Sequence, residues 1–222
     1  MIDNAKMTPV DGESIEQLPP DKAISRALAD PSIAIHWYDL TCPFCYIAQA
    51  RNAQLEQLGF KVVELPFQAH PDIPPAGLTM GQRSDTMYTT IEQEAKKAFL
   101  PINWPPRLPN SRLALASAEW VRRNAVSEFK QFQKSLFDAH FVLGQDIGAI
   151  ETVEHHARVS SIDVKLLREA LRGNRPFHYV SESENEGKSH RIHGTPAWLV
   201  NGHLVSGLVE TSQLQQLGAN AS

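Results

Sequence analysis

Apolar and polar positions change period several times along this chain. Residues 33–38, Ile-Ala-Ile-His-Trp-Tyr, are apolar and β-prone and lie between Asp30-Pro31 and Asp39, the pattern of a buried strand. Helix formers dominate residues 45–58; apolar Ile47, Ala48, Leu55 and Leu58 fall near helical spacing, and the run closes at Gly59. Thr41 is the expected N-cap, and Pro43 sits in the first turn, where its missing N–H leaves no bond unmade. Residues 60–66 then read as a second strand, which completes a β-α-β unit. Far downstream, residues 197–200 and 203–206 flank Asn201-Gly202, the strongest short hairpin signal, and residues 210–217 read as a closing helix.

Between these ends the period is helical. Segments 84–99, 111–124, 127–143, 147–159 and 163–172 carry it, and residues 177–190 are expected to form the helix that returns to the core. Residues 172–176, Arg-Gly-Asn-Arg-Pro, break the pattern. Residues 68–81, with Pro71, Pro74 and Pro75, read as a loop, and the prolines of residues 100–109 exclude regular structure there. The expected organisation is an N-terminal extension (1–30), whose residues 1–20 lack periodicity and read as mobile or as a short added strand, a core from two pieces (31–75 and 176–222), and an inserted all-helical domain (76–175). Neither an internal repeat nor a low-complexity tract is present.

Composition narrows the class without naming it. With 222 residues, 42% hydrophobic and 21% charged, the chain reads as a soluble globule able to fold without metal or disulfide staples. A net charge of −4 argues against general nucleic-acid binding. No apolar run approaches the roughly 20 residues that span a bilayer, and residues 1–17 hold no apolar core of a secretory signal. The expectation is a cytoplasmic protein with neither membrane nor nucleic-acid partners.

The candidate chemistry lies in Thr41-Cys42-Pro43-Phe44-Cys45-Tyr46, which holds both of the chain's cysteines. Four readings stand. A structural disulfide across so small a loop contributes only about 2 kcal/mol. Half of a zinc site would need distant partners such as His190 and His193. An inert buried pair is the third reading. The fourth is redox chemistry, favoured by the context of a strand before the pair and a helix after it. At a helix N-terminus, unpaired N–H groups and the dipole favour the thiolate, so Cys42 is expected to attack and Cys45, one turn inside, to resolve. Pro43 and Phe44 tune the pair, and Phe44 brings no charge, so thiolate stabilisation is expected to be moderate.

Asp39-Leu-Thr-Cys-Pro-Phe-Cys-Tyr-Ile-Ala48 resembles the motif of the DsbA-like branch of the thioredoxin superfamily, closest to its FrnE-type group. His193-Gly-Thr-Pro-Ala-Trp-Leu-Val200, with the hairpin to Gly207, resembles the superfamily's cis-proline loop and last strands; Pro109-Asn-Ser-Arg-Leu-Ala-Leu115 resembles the start of the inserted helix. The resemblance implies an α/β thioredoxin-like fold with an inserted helical domain, acting as a thiol–disulfide oxidoreductase. It also implies a cis Thr195–Pro196 bond facing the thiols, with both residues docking an extended substrate by strand addition. Substrates would be proteins, peptides or small molecules bearing thiols or disulfides. No bound cofactor or metal is expected, with glutathione or a dithiol partner as the reductant. Two rivals are a glutathione-dependent isomerase or transferase of the same superfamily, and a chaperone-like peptide-binding module with incidental thiols.

Other residues draw plainer expectations. His155 and His156 read as surface histidines, His190 and His193 as solvated loop residues flanking the approach to Pro196, with a place near the thiols as the alternative, and His36 as a satisfied core histidine. Arg122-Arg123 reads as a solvated face, Trp104 as a groove wall or loop anchor, and Asp39 as a residue that orients the motif loop or ends the strand.

Overall fold

The computed structural model describes residues 14–81 and 85–219, so an expected extension at residues 1–13 and a helix start at Ser84 lie outside the described residues. A 3-10 turn (Ile15–Gln17) and α1 (Pro20–Ala29) lead into β1 (Ile33–Tyr38), α2 (Pro43–Gln57) and β2 (Lys61–Pro66). Next come β3 (Leu78–Thr79), α3 (Thr86–Lys97), β4 (Arg107–Leu108), α4 (Arg112–Asn124), α5 (Val126–Phe141), α6 (Ile150–Val159), α7 (Val164–Arg172) and α8 (Arg175–Ser189). The chain ends in β5 (Ala197–Val200), β6 (His203–Ser206) and α9 (Thr211–Ala219).

The main sheet has the order β2-β1-β5-β6. β1 pairs in parallel with β2 across α2 and antiparallel with β5, so it is central and every one of its residues is buried. Alternation then divides its faces. Ile33, Ile35 and Trp37 pack with Ala23, Ile24 and Ala27 of α1, while Ala34 packs with Ala48 and Leu55 of α2 and Leu214 of α9. Asn201 (φ 48°) and Gly202 (φ 75°) take the left-handed conformations of a two-residue hairpin turn and set the register Val200↔His203. On α8, a Cβ at Gly187 would stand 3.2 Å from both Phe67 and Trp37, so glycine lets this helix lie directly on the sheet.

The α/β class and the helical block between β2 and β5 agree with expectation, and several local readings are corrected. The Pro19-Pro20 entry opens α1 within the expected N-terminal extension, for which no helix is predicted; its buried Ala23, Ile24 and Ala27 fall at helical spacing. β3 and β4 pair inside the two proline-rich segments, Leu78 with Leu108 and Thr79 with Arg107, because no proline occupies those four positions. α8 starts at Arg175 within the expected break, since Pro176 is tolerated in a first turn. Leu58 lies beyond the last turn of α2 and is 52% exposed rather than part of its apolar face. Arg122 is 1% exposed, because α4 is covered by α8, α5 and the 3-10 turn. Its guanidinium pairs with both oxygens of Glu119 and donates to the Glu16 and Leu18 carbonyls. Arg123 also bonds Glu119 and lies over the Tyr179 ring, 3.7 Å from its centroid. His156 is likewise buried, with Nε2 2.7 Å from Gln145 Oε1, whereas its neighbour His155 is exposed. Among the described residues no helix is long and apolar enough to cross a membrane.

Candidate redox site

The loop from β1 to α2 is held by Asp39, which is fully buried. Its Oδ1 accepts from the Thr41 amide (3.0 Å) and hydroxyl (2.9 Å), and its Oδ2 accepts from the Ala69 amide beyond β2 (2.8 Å). This use of the Thr41 side chain moves the helix start by one residue: the N-cap is Cys42, with extended backbone (φ −83°, ψ 115°), and Pro43 occupies the first helical position. The Cys42 carbonyl accepts from the Cys45 amide (3.0 Å) and the Tyr46 amide (3.1 Å), which places both sulfurs at the same helix end.

The two thiols are free and differ in surroundings. Cys42 is partly buried, whereas Cys45 is inaccessible and packs with Tyr38, Tyr46 and residues of α4 and α5. The Asp39 amide donates to Cys45 Sγ at 3.5 Å. Hydrogen bonding from Cys45, first from its thiol and then from its amide, holds the Cys42 thiol below its ordinary pKa; Thr195 assists, against the opposing effects of burial and the Asp39 charge. Burial, followed by the bond given to Cys42, pushes the Cys45 thiol well up. The expected order of acidity is therefore present, with hydrogen bonds from Cys45 as the leading cause.

β5 brings the other motif to the same place. Thr195–Pro196 is cis, and Cys42 Sγ donates to the Thr195 carbonyl at 3.4 Å. The Pro196 carbonyl accepts from the Gly207 amide at 2.8 Å, which ties this loop to the hairpin that follows. Cys42, Thr195 and the expected tuning residues Pro43 and Phe44 all line one cavity of about 400 Å³. Phe44 also packs against Ile47, Ile91 and Ala95.

The far wall comes from the inserted block, expected to cover the thiols and form a groove, though of its residues the sequence named only Trp104: Met87, Tyr88 and Ile91 of α3, Trp104 and Leu108 of the proline-rich stretch, and His140 and Phe141 of α5. Trp104 is thus a cavity wall. Its Nε1 donates to Glu92 Oε1 at 2.7 Å, and its ring meets Tyr88 edge-on at 5.0 Å. His193 and His70 also line the cavity, whereas His190 instead contacts the Glu186 carbonyl, 2.9 Å from Nδ1. Behind the wall, Tyr46 stacks on Phe141 at 5.0 Å and donates to the Pro101 carbonyl at 3.1 Å; burial pushes its hydroxyl up to about 12.

His36 is a buried core histidine, as expected, but it is satisfied on one side only: among the described residues Nε2 has no hydrogen-bond partner, whereas Nδ1 joins a network. Its Nδ1 lies 3.1 Å from Glu64 Oε1, which also accepts from Asn52 (2.9 Å) and Gln49 (3.0 Å), while Trp198 Nε1 donates to Asn52 at 2.9 Å. Among the described residues no group of three or more His, Cys, Asp or Glu is arranged to hold a metal ion.

Comparison with known proteins gives the same architecture. No curated protein sequence matches the chain. A probable DsbA oxidoreductase from Streptomyces coelicolor superposes with a TM-score of 0.74 at 16% identity, covering 85% of this chain and 89% of its own. A 2-hydroxychromene-2-carboxylate isomerase gives 0.65 at 16% identity, over 85% and 93%. The cytosolic disulfide reductase DsbM from Pseudomonas aeruginosa, solved with GSH, gives 0.59 at 14% identity, over 85% and 96%. Likeness at such identities speaks for the fold. Residues 34–217, from β1 into the closing helix, match the DSBA-like thioredoxin domain, and the chain belongs to that family.

Proposed function

We propose that the protein is a thiol–disulfide oxidoreductase in which Cys42 attacks, Cys45 resolves and the Thr195–Pro196 loop docks the substrate. The observation that carries this reading is the asymmetry of the pair. The more acidic sulfur lines a cavity and touches the docking loop, while its partner is buried one turn inside. In the reductive direction the Cys42 thiolate attacks a substrate disulfide, forms a mixed disulfide and releases the first substrate sulfur as a thiolate, which takes up a proton. Cys45 then gives up its proton and attacks Cys42, releasing the second substrate thiol. The substrate gains two electrons, and the Cys42–Cys45 disulfide holds the oxidising equivalent. Glutathione or a dithiol partner restores the pair, and the reverse sequence oxidises a dithiol substrate; neither direction needs a bound cofactor.

The FrnE-type assignment and a cytoplasmic location belong to this proposal. The run from Asp39 to Ala48 supports the first, and a neighbour described as a cytosolic reductase supports the second. Pro43 and Phe44, uncharged beside the thiolate, are proposed to set a moderate potential.

The test is turnover of a disulfide-bridged fluorescent peptide by wild type, Cys42→Ser and Cys45→Ser. Cys42→Ser should be inactive, and Cys45→Ser should accumulate a peptide–Cys42 mixed disulfide visible by mass. Glutathione-dependent isomerisation in Cys42→Ser would favour the isomerase rival, and peptide binding without turnover in wild type would favour the chaperone.

A further inference from the structure

The last turn of α8 and the segment that leads from it to the docking loop read Lys188-Ser-His-Arg-Ile-His-Gly-Thr195, a run with two cationic side chains, two histidines and no carboxylate. Lys188, Arg191 and His193 are exposed, whereas Ile192, between the last two, is fully buried and pins the segment. Neither Lys188 nor Arg191 has an ion-pair partner among the described residues. His193 lines the cavity that holds Cys42, and the exposed His70 lines it from the loop beyond β2. An imidazole offers a ring N–H in either protonation state. Donors and positive charge therefore run along the surface up to the reactive sulfur.

Arg191 is the unusual member. Its φ is 63°, the left-handed conformation just past a helix end that glycine ordinarily takes. The helix is closed there by backbone alone: the Arg191 amide donates to the Lys188 carbonyl (3.0 Å) and the Ile192 amide to the Gly187 carbonyl (2.9 Å). A large side chain at such a position costs conformational energy that glycine avoids. The guanidinium lies four residues before Thr195, at most about 14 Å of chain. A residue two to four places from a substrate cysteine docked at Thr195 covers the same span.

We propose that Lys188, Arg191 and the imidazoles of His193 and His70 form a rim that selects proteins or peptides carrying acidic residues two to four places from the reactive cysteine. The inference rests on the thiol–disulfide reading of Cys42 and adds the class of substrate. Exposed charges act over about 10 Å at ordinary ionic strength, so the rim governs a docked segment. The net charge of −4 acts on an approaching acidic peptide with the opposite sign. A preference for acidic flanks therefore reports the rim and not the charge of the whole chain.

The experiment measures second-order rates for oxidation of the reduced protein by three disulfide-bridged peptides. They differ only at the positions two and four residues from each cysteine, filled with glutamate, glutamine or lysine. Each rate is divided by that of free dithiothreitol with the same peptide at the same salt, which removes intrinsic reactivity. At low salt the glutamate peptide should exceed the lysine peptide by about 10-fold, the lower end of electrostatic steering, with glutamine between them. The ratio should fall towards unity at about 1 M salt, where screening leaves a reach of about 3 Å. Arg191→Gly, which suits the left-handed backbone, should shrink the ratio without lowering the melting midpoint, and Arg191→Lys should keep most of it. Equal normalised rates, a preference for the lysine peptide, a ratio that persists at high salt, an undiminished ratio in Arg191→Gly, or a ratio as small in Arg191→Lys as in Arg191→Gly would each overturn the proposal. If the protein reacts no faster than free dithiothreitol with any of the three peptides, the thiol–disulfide reading itself falls instead.

Discussion

Replacing Asp39 by asparagine separates what its charge does from what its shape does. The carboxylate is fully buried and accepts from the Thr41 amide, the Thr41 hydroxyl and the Ala69 amide, so one side chain joins the motif loop to the segment beyond β2. Asparagine keeps the size and one carbonyl oxygen. With that oxygen toward Thr41, its NH2 group faces the Ala69 N–H, donor against donor, and the 2.8 Å bond is lost. A hydrogen bond to a charged group contributes about 1.5–3 kcal/mol net, and the two bonds to Thr41 weaken as the acceptor loses its charge, so the total cost should be about 2–4 kcal/mol. For a chain of this size that lowers Tm by about 5–15 °C.

The same charge opposes ionisation of Cys42, and its removal should move the Cys42 pKa further down while the Thr41 contacts hold the loop. Circular dichroism melting reads the first effect, and the pH profile of iodoacetamide alkylation, followed by mass, reads the second. An unchanged melting midpoint, or an alkylation profile displaced to higher pH, would refute the reasoning.

Wild type should be alkylated at Cys42 well before Cys45, at pH values below the ordinary thiol range, whereas equal labelling of both in the folded protein would contradict the burial difference. Glu64 is held below its usual 4.5: burial by itself raises it, but the hydrogen bond and charge of His36, with Gln49 assisting, prevail. Its folded pKa being depressed, the unfolded chain binds the extra proton, so this stabilisation is present above about pH 4.5 and is lost as pH falls through the folded value. Urea midpoints at pH 7 and pH 3.5 should therefore differ more for wild type than for Glu64→Gln, and parallel losses would count against this account. Arg122→Ala leaves the buried Glu119 with Arg123 alone and should cost about 3 kcal/mol in urea unfolding; a cost below about 0.5 kcal/mol, the usual range for surface positions, would restore the reading of a solvated face.

Several features were readable along the chain because their causes are local. β1 was legible from a six-residue run apolar at every position but His36, the β5–β6 hairpin from Asn201-Gly202, and the thiol pair from the strand before it and the helix after it. Even within the motif, local reading reached only so far. Thr41 was the expected cap, but Asp39 claims its hydroxyl and the cap falls on Cys42, and that bond depends on a loop closed against Ala69.

The remaining features depend on which elements lie against one another. Glu119 and Arg122, three residues apart on a helix, have the spacing of an ordinary solvated pair, and they are buried because α4 is covered by elements from both ends of the chain. His156 leaves solvent for the same kind of reason, while adjacent His155 does not. The cavity is the largest case. Cys42, Ile91, Trp104, Phe141 and Thr195 belong to five separated stretches and carry no shared spacing. A period of two or 3.6 reports the face an element buries. It does not say which residues of another segment meet that face, so the thiol pair was legible in sequence and the identity of most residues that confront it came from packing.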